Sequence, residues 1–82
     1  MKPVLGKKLR NRRVVSASGL EIGEVLDATF EGDRIVDLVV RPDVRTKEVQ
    51  EYVGRNGTLS VPFESVKAIG RYVVIEFPVA KF

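Results

Sequence analysis

Valine sets the first limit on this chain. Fifteen valines, four isoleucines and three threonines place a β-branched side chain at 22 of 82 positions. Such side chains are stiff at χ1 and pack well on a pleated surface, so runs of them favour strands. Glycine punctuates those runs at Gly6, Gly19, Gly23, Gly32, Gly54, Gly57 and Gly70. Short β-rich runs with glycine punctuation predict an all-β barrel or sandwich. A chain this short has room for one small domain, residues 1–82, and not for a doubly wound nucleotide fold.

The runs can be read one by one. Residues 13–16 (RVVS) predict a short strand ended by a turn at 17–19. Residues 21–30 predict a longer strand with Gly23 as a bulge inside it. Glu31-Gly32-Asp33 is a tight hairpin turn, and 34–41 is the returning strand, stopped by Pro42-Asp43. Leu59, Val61 and Phe63 alternate with Ser60, Pro62 and Glu64, the period of a half-buried strand. Pro62 has no N–H to give a ladder, so that strand belongs at an edge or ends early. Residues 64–70 predict one helical turn capped by Gly70. Residues 72–77 (YVVIEF) are a last strand, ended by Pro78. Residues 44–53 read either as a helix of two to three turns ended by Gly54 or as a charged, extended loop.

Two strands look apolar on both faces. Alternation sends Val36, Leu38 and Val40 one way and Ile35, Asp37 and Val39 the other. Strand 72–77 sends Tyr72, Val74 and Glu76 one way and Val73, Ile75 and Phe77 the other. A small barrel uses one such face for its interior. The surplus predicts cover by the 44–53 segment or by a second subunit, at about 25 cal/mol for each Å² removed from water. Ile35, Val39, Ile75, Phe77, Val79 and Phe82 are the candidate contacts for a homodimer, a paralogue heterodimer or another protein partner.

Catalysis finds little to work with. The chain has no histidine and no cysteine. It therefore lacks the commonest general base, a thiolate nucleophile and the usual ligands of a transition metal. Glu21, Glu24, Asp27, Glu31, Asp33 and Asp37 lie along the first hairpin, without the spacing of a calcium loop, and read as solvated strand faces. Gly19 and Gly23 are four apart, but no helix follows to receive a phosphate, so they read as turn plus bulge. Ser16, Ser18, Ser60 and Ser65 have no partner base. The expectation is no catalytic residue, no cofactor and no metal.

Charge suggests one more surface. Net charge is +3, from 14 basic and 11 acidic residues. Lys7, Lys8, Arg10, Arg12 and Arg13 form a basic run that could meet a polyanion. Single-strand binders interleave aromatics with such cations. Here Phe30, Tyr52, Phe63, Tyr72, Phe77 and Phe82 all lie outside the run. Nucleic acid is thus the weaker partner class. No apolar run approaches the roughly 20 residues of a membrane helix, and the first residues lack a signal-peptide core. These features predict a cytoplasmic protein. Few Asn, Gln and Met and abundant Glu, Lys and Arg suit a thermophilic source.

Taken in order, four segments resemble the PRC-barrel family. They are VLGKK at 4–8, SGLEIGEVLD at 18–27, IVDLVV at 35–40 and LSVPFESVKAIG at 59–70. Residues 9–13 look inserted relative to the family, and 44–56 is longer than its simple connection. The resemblance implies a closed or partly open six-stranded barrel. It also implies an adaptor without shared catalytic residues. Family settings include the photosynthetic reaction-centre H subunit, the ribosome-maturation factor RimM and stand-alone archaeal proteins. Some of the last form dimers and bind SepF, the membrane anchor of the division ring. This chain is similar to the short archaeal type, which implies an adaptor in cell division, recruited to the division site through that anchor. A RimM-like accessory role on RNA or the ribosome is the alternative.

Overall fold

Alternating burial along the valine-rich runs builds a single sheet. The computed structural model describes residues 9–77. Its strands are β1 (Arg13–Ser16), β2 (Glu21–Glu31), β3 (Arg34–Pro42), β4 (Leu59–Pro62), β5 (Val66–Ile69) and β6 (Val73–Ile75). A one-turn helix α1 (Lys47–Gln50) lies between β3 and β4, and a 3-10 turn (Phe63–Ser65) joins β4 to β5. The sheet order is β4-β3-β2-β1-β6-β5. All neighbours are antiparallel except β1 and β6, which are parallel. No ladder joins β4 to β5, so the barrel is partly open and the 3-10 turn spans the seam.

Bulges decide which side chains enter the barrel. Between β2 and β3 the register runs Val25↔Val40, Asp27↔Val39, Ala28↔Leu38, Thr29↔Asp37 and Phe30↔Ile35. Leu26 is therefore an extra residue on β2 and Val36 an extra residue on β3. Each extra residue reverses the alternation beyond it. Ile35 then falls on the same side as Leu38 and Val40, and all three are buried. This corrects the expectation that Ile35 shares an outer face with Val39. The exterior of β3 keeps Val36, Asp37 and Val39, all half-buried.

The core comprises Leu9, Val14, Ile22, Val25, Ile35, Leu38, Val40, Val49, Leu59, Val61, Val73 and Ile75. At roughly 1.5–3 kcal/mol for each buried aliphatic side chain, this cluster dominates the stabilisation. Val49 comes from α1 and is fully buried. The 44–53 segment thus contributes one helical turn and one core residue, shorter than the two to three turns the sequence allowed. Tyr52, just beyond α1, meets Phe77 edge-on, with ring centroids 5.0 Å apart. Before β1, Asn11 N–H donates to the Val25 carbonyl at 2.8 Å and Val25 N–H donates to the Arg12 carbonyl at 2.9 Å. Residues 9–13 are therefore laid along β2, with Leu9 inserted into the core.

The segment 64–70 differs from its expected helical turn. Only Phe63–Ser65 turns, and Val66–Ile69 is a strand. Pairing of Val66 with Ile75 and of Ile69 with Val73 outweighs the local helical spacing. Pro62 does lie on an edge strand, as its missing N–H requires.

Candidate interaction surfaces

The outer side of β1, β6 and β5 carries a row of apolar side chains. Parallel pairing sets Val15 beside Val74, and Ala68 pairs with Val74 from the other side. Val14, Ser16, Val73 and Ile75 are buried, so their neighbours Val15 and Val74 face outward and stay half-exposed. Ala68 is exposed, and Tyr72 is 51% exposed just ahead of β6. Ile69, at 41%, adds apolar surface beside the turn that joins β5 to β6. The Arg12 guanidinium donates to the Gly70 carbonyl and holds that turn in place. An ion pair borders the patch: Lys67 Nζ lies 3.4 Å from Glu76 Oε1, both side chains more than half exposed.

A second surface lies where β1, β2 and the end of β3 meet. Arg13 Nη2 donates to Glu21 Oε1 at 2.7 Å and to Asp43 Oδ2 at 3.2 Å. Arg45 grips the same carboxylate, Nη2 to Oδ2 at 3.0 Å and Nε to Oδ1 at 3.1 Å. Arg45 N–H also donates to Asp43 Oδ1 at 2.9 Å, a turn typical of aspartate. Only 7% of the Asp43 side chain is exposed. The Arg45 side chain and backbone donors, with the charges of Arg45 and Arg13, hold the Asp43 carboxyl far below the usual carboxylate range against the opposing effect of burial. In return Asp43 raises the Arg45 guanidinium, and Glu21 raises Arg13 above its ordinary value. Thr46 Oγ1 donates to the Glu21 carbonyl at 2.6 Å and ties the loop to β2. Shallow grooves flank this cluster, one also lined by Arg41 and Glu24, which pair at 2.7 Å. Val44 protrudes beside it, 82% exposed. Three arginines here face three carboxylates, so the grooves offer no net charge to a polyanion.

The expected contact residues separate into three groups. Ile35 and Ile75 are barrel interior, at 8% and 0% exposure, which corrects their placement on an exterior face. Val39 is half-buried on the outer side of β3, and Phe77 is half-buried against Tyr52. Val79 and Phe82 lie outside the described residues, as do Lys7 and Lys8. The rest of the basic run is divided. Arg10 Nε donates to the Leu26 carbonyl at 3.2 Å, Arg12 to Gly70, and Arg13 to the carboxylate cluster. Sequence reasoning passed over Val15, Val74 and the Asp43–Arg45 turn. The buried-outward alternation of 13–16 and 73–75 was the available signal for the first two, and Asp-x-Arg after a strand-ending proline for the third.

Among the described residues no helix is long and apolar enough to cross a membrane, and no His, Cys, Asp or Glu group of three could hold a metal ion. The six-stranded, partly open sheet is the arrangement the four sequence segments implied. The profile of the PRC-barrel domain matches residues 1–81. The chain belongs to the PRC-barrel family. A comparison with curated proteins found no match. As a PRC-barrel, this chain adds to its core Leu9, ahead of β1, and Val49, from the connection between β3 and β4.

Proposed function

We propose that this PRC-barrel is a non-catalytic protein–protein adaptor. Its setting is archaeal cell division, where it acts in division-ring assembly through a SepF-like membrane anchor. The observation that carries the adaptor reading is the apolar exterior formed by Val15, Val74, Ala68 and Tyr72 on β1, β6 and β5. Tyrosine and aliphatic side chains on a firmly paired sheet suit recognition of a protein surface. The division setting rests on likeness to the short archaeal members, and the thermophilic composition fits that source. Partner chains include a second copy or a paralogue.

Titration of the purified chain with a SepF-type anchor tests this reading. The expected result is a stoichiometric complex that Val74→Lys weakens at least tenfold, an effect of about 1.4 kcal/mol. Lack of binding by the wild-type chain would sink the division setting. The RNA or ribosome alternative has less support, because Arg10, Arg12 and Arg13 already donate within the chain. It predicts steep salt dependence and loss on charge reversal at Lys7, Lys8, Arg12 and Arg13.

A further inference from the structure

We propose that Asn56–Gly57 is a self-modification site, where the asparagine deamidates at a rate held down by the fold of its own turn. This goes beyond the adaptor reading and does not depend on it.

The residue types supply the chemistry. The backbone nitrogen that follows an asparagine can attack the side-chain amide, and a following glycine has no side chain to obstruct the approach. Of the two asparagines in the chain, Asn11 precedes Arg12 and Asn56 precedes Gly57. Asn56 and Gly57 are both exposed, so water reaches them. A bond forms between Gly57 N and Asn56 Cγ, and the bond from Cγ to Nδ2 breaks. The Gly57 amide proton leaves with Nδ2 as ammonia. Water then opens the resulting succinimide at either carbonyl. Opening at Cγ leaves isoaspartate or aspartate according to which bond to Gly57 N is cut, and no oxidant or reductant takes part.

Geometry supplies the restraint. Gly57 N–H donates to the Gly54 carbonyl at 3.0 Å, and Gly54 N–H donates to the Thr58 carbonyl at 2.8 Å. The first bond closes a β-turn with Arg55 and Asn56 at its centre. Neither central residue has a positive φ, whereas Gly57 has one, at 81°. A hydrogen-bonded turn of that kind is type I, which holds ψ of its second central residue at about 0°. Ring closure needs Gly57 N to swing by about a third of a turn around that bond, until it lies beside Cβ and Cγ. The swing breaks the bond to Gly54. The target is tied as well: Thr58 Oγ1 donates to Asn56 Oδ1 at 2.8 Å, and Thr58 N–H donates to it at 3.3 Å. Nucleophile and target are thus held by different partners, and the reaction runs through the fraction of molecules in which the turn is open.

The turn leads directly into β4, whose Leu59 and Val61 are buried and which pairs with β3 alone. Isoaspartate lengthens the main chain just ahead of that strand, and either product places a negative charge beside Arg55. Modified chains therefore hold β4 less firmly.

Intact mass and peptide mapping of the full chain, incubated at mildly alkaline pH, read the outcome. The mass gain of an amide-to-acid exchange maps to Asn56, with isoaspartate and aspartate both present, and Asn56→Ser abolishes it. The folded chain reacts slower by roughly tenfold or more than the chain in urea at the same pH, because only its open fraction reacts. Thr58→Val removes the hydroxyl donor, speeds the folded chain several-fold and leaves the rate in urea unchanged. Thr58→Ser keeps the donor and the slow rate, which separates the hydrogen bond from a loss of packing. No gain at Asn56 even in urea overturns the site. Equal rates in the folded chain and in urea overturn the restraint by the turn. A folded Thr58→Val that reacts no faster than the wild type overturns the part given to Thr58.

Discussion

At the scale of single residues, Gly23 carries the sharpest constraint. A Cβ there would overlap the Arg41 carbonyl oxygen, and the backbone φ is 155°. Gly23 sits where β2 slips against β1, with Val14 opposite Gly23 and Val15 opposite Glu21. A side chain would have to push β3 away from β2. Gly23→Ala is therefore expected to lose about 2–4 kcal/mol in urea titration, through overlap and strain together. Gly19→Ala is the comparison: φ is 102° but the space is open, so about 1 kcal/mol of strain is expected. Equal losses at the two sites would mean that contact with Arg41 is not the cause. Asp43 makes a different claim. Its folded carboxyl titrates below the ordinary 3.8, so its charged form stabilises the fold above that value. That contribution is lost as pH falls below 3.8 toward the depressed folded value. Asp43→Asn has no such charge to lose. Its urea midpoint should lie below the wild type near neutral pH and approach it in acid. Parallel curves at all pH values would show that the Arg13–Asp43–Arg45 contacts do not couple to folding.

At the scale of elements, the two bulges of the β2–β3 hairpin set the barrel's inside and outside. The hairpin itself was legible, because Glu31-Gly32-Asp33 separates two long β-branched runs. Its facing was not. Strict alternation groups Ile35 with Val39, and nothing in the residues at 34–37 marks Val36 as the extra one. Bulges arise from how twisted strands must bend to curl, and tertiary packing fixes them. The same limit hid β5, whose helical spacing and terminal Gly70 are overruled by pairing with β6. Of the candidate contacts, Ile35 and Ile75 were misplaced because an apolar residue on a two-sided strand carries no label for inside. An apolar exterior row lies elsewhere, at Val15 and Val74, which pair across β1 and β6 without a register shift. The bulge is testable by paired truncations. Ile35→Ala should cost about 2–4 kcal/mol as a core deletion. Val36→Ala, at a half-exposed position, should cost less than about 1 kcal/mol. The reverse order would restore plain alternation and move the bulge elsewhere.

At the scale of the whole molecule, five ladders make the sheet continuous and one seam, between β4 and β5, is left open. Strands β4 and β5 each have one ladder, with β3 and β6 respectively. The 3-10 turn Phe63–Ser65 links them, and Glu76 N–H donates to the Ser65 carbonyl at 2.8 Å to draw the turn toward β6. In the middle, β2 has partners on both sides and shares eight residue pairs with β3. Opening therefore costs least at the seam, where fewest ladders break and where Ala68 and Ile69 are already exposed. Amide hydrogen exchange followed by NMR should show β5 losing protection first, while Val25, Ala28 and Leu38 exchange only with global unfolding. A β5 as strongly protected as β3 would mean that its free edge is paired, either closing the barrel onto β4 or adding a strand from a partner, and the seam would then be a binding edge rather than the weakest point of the fold.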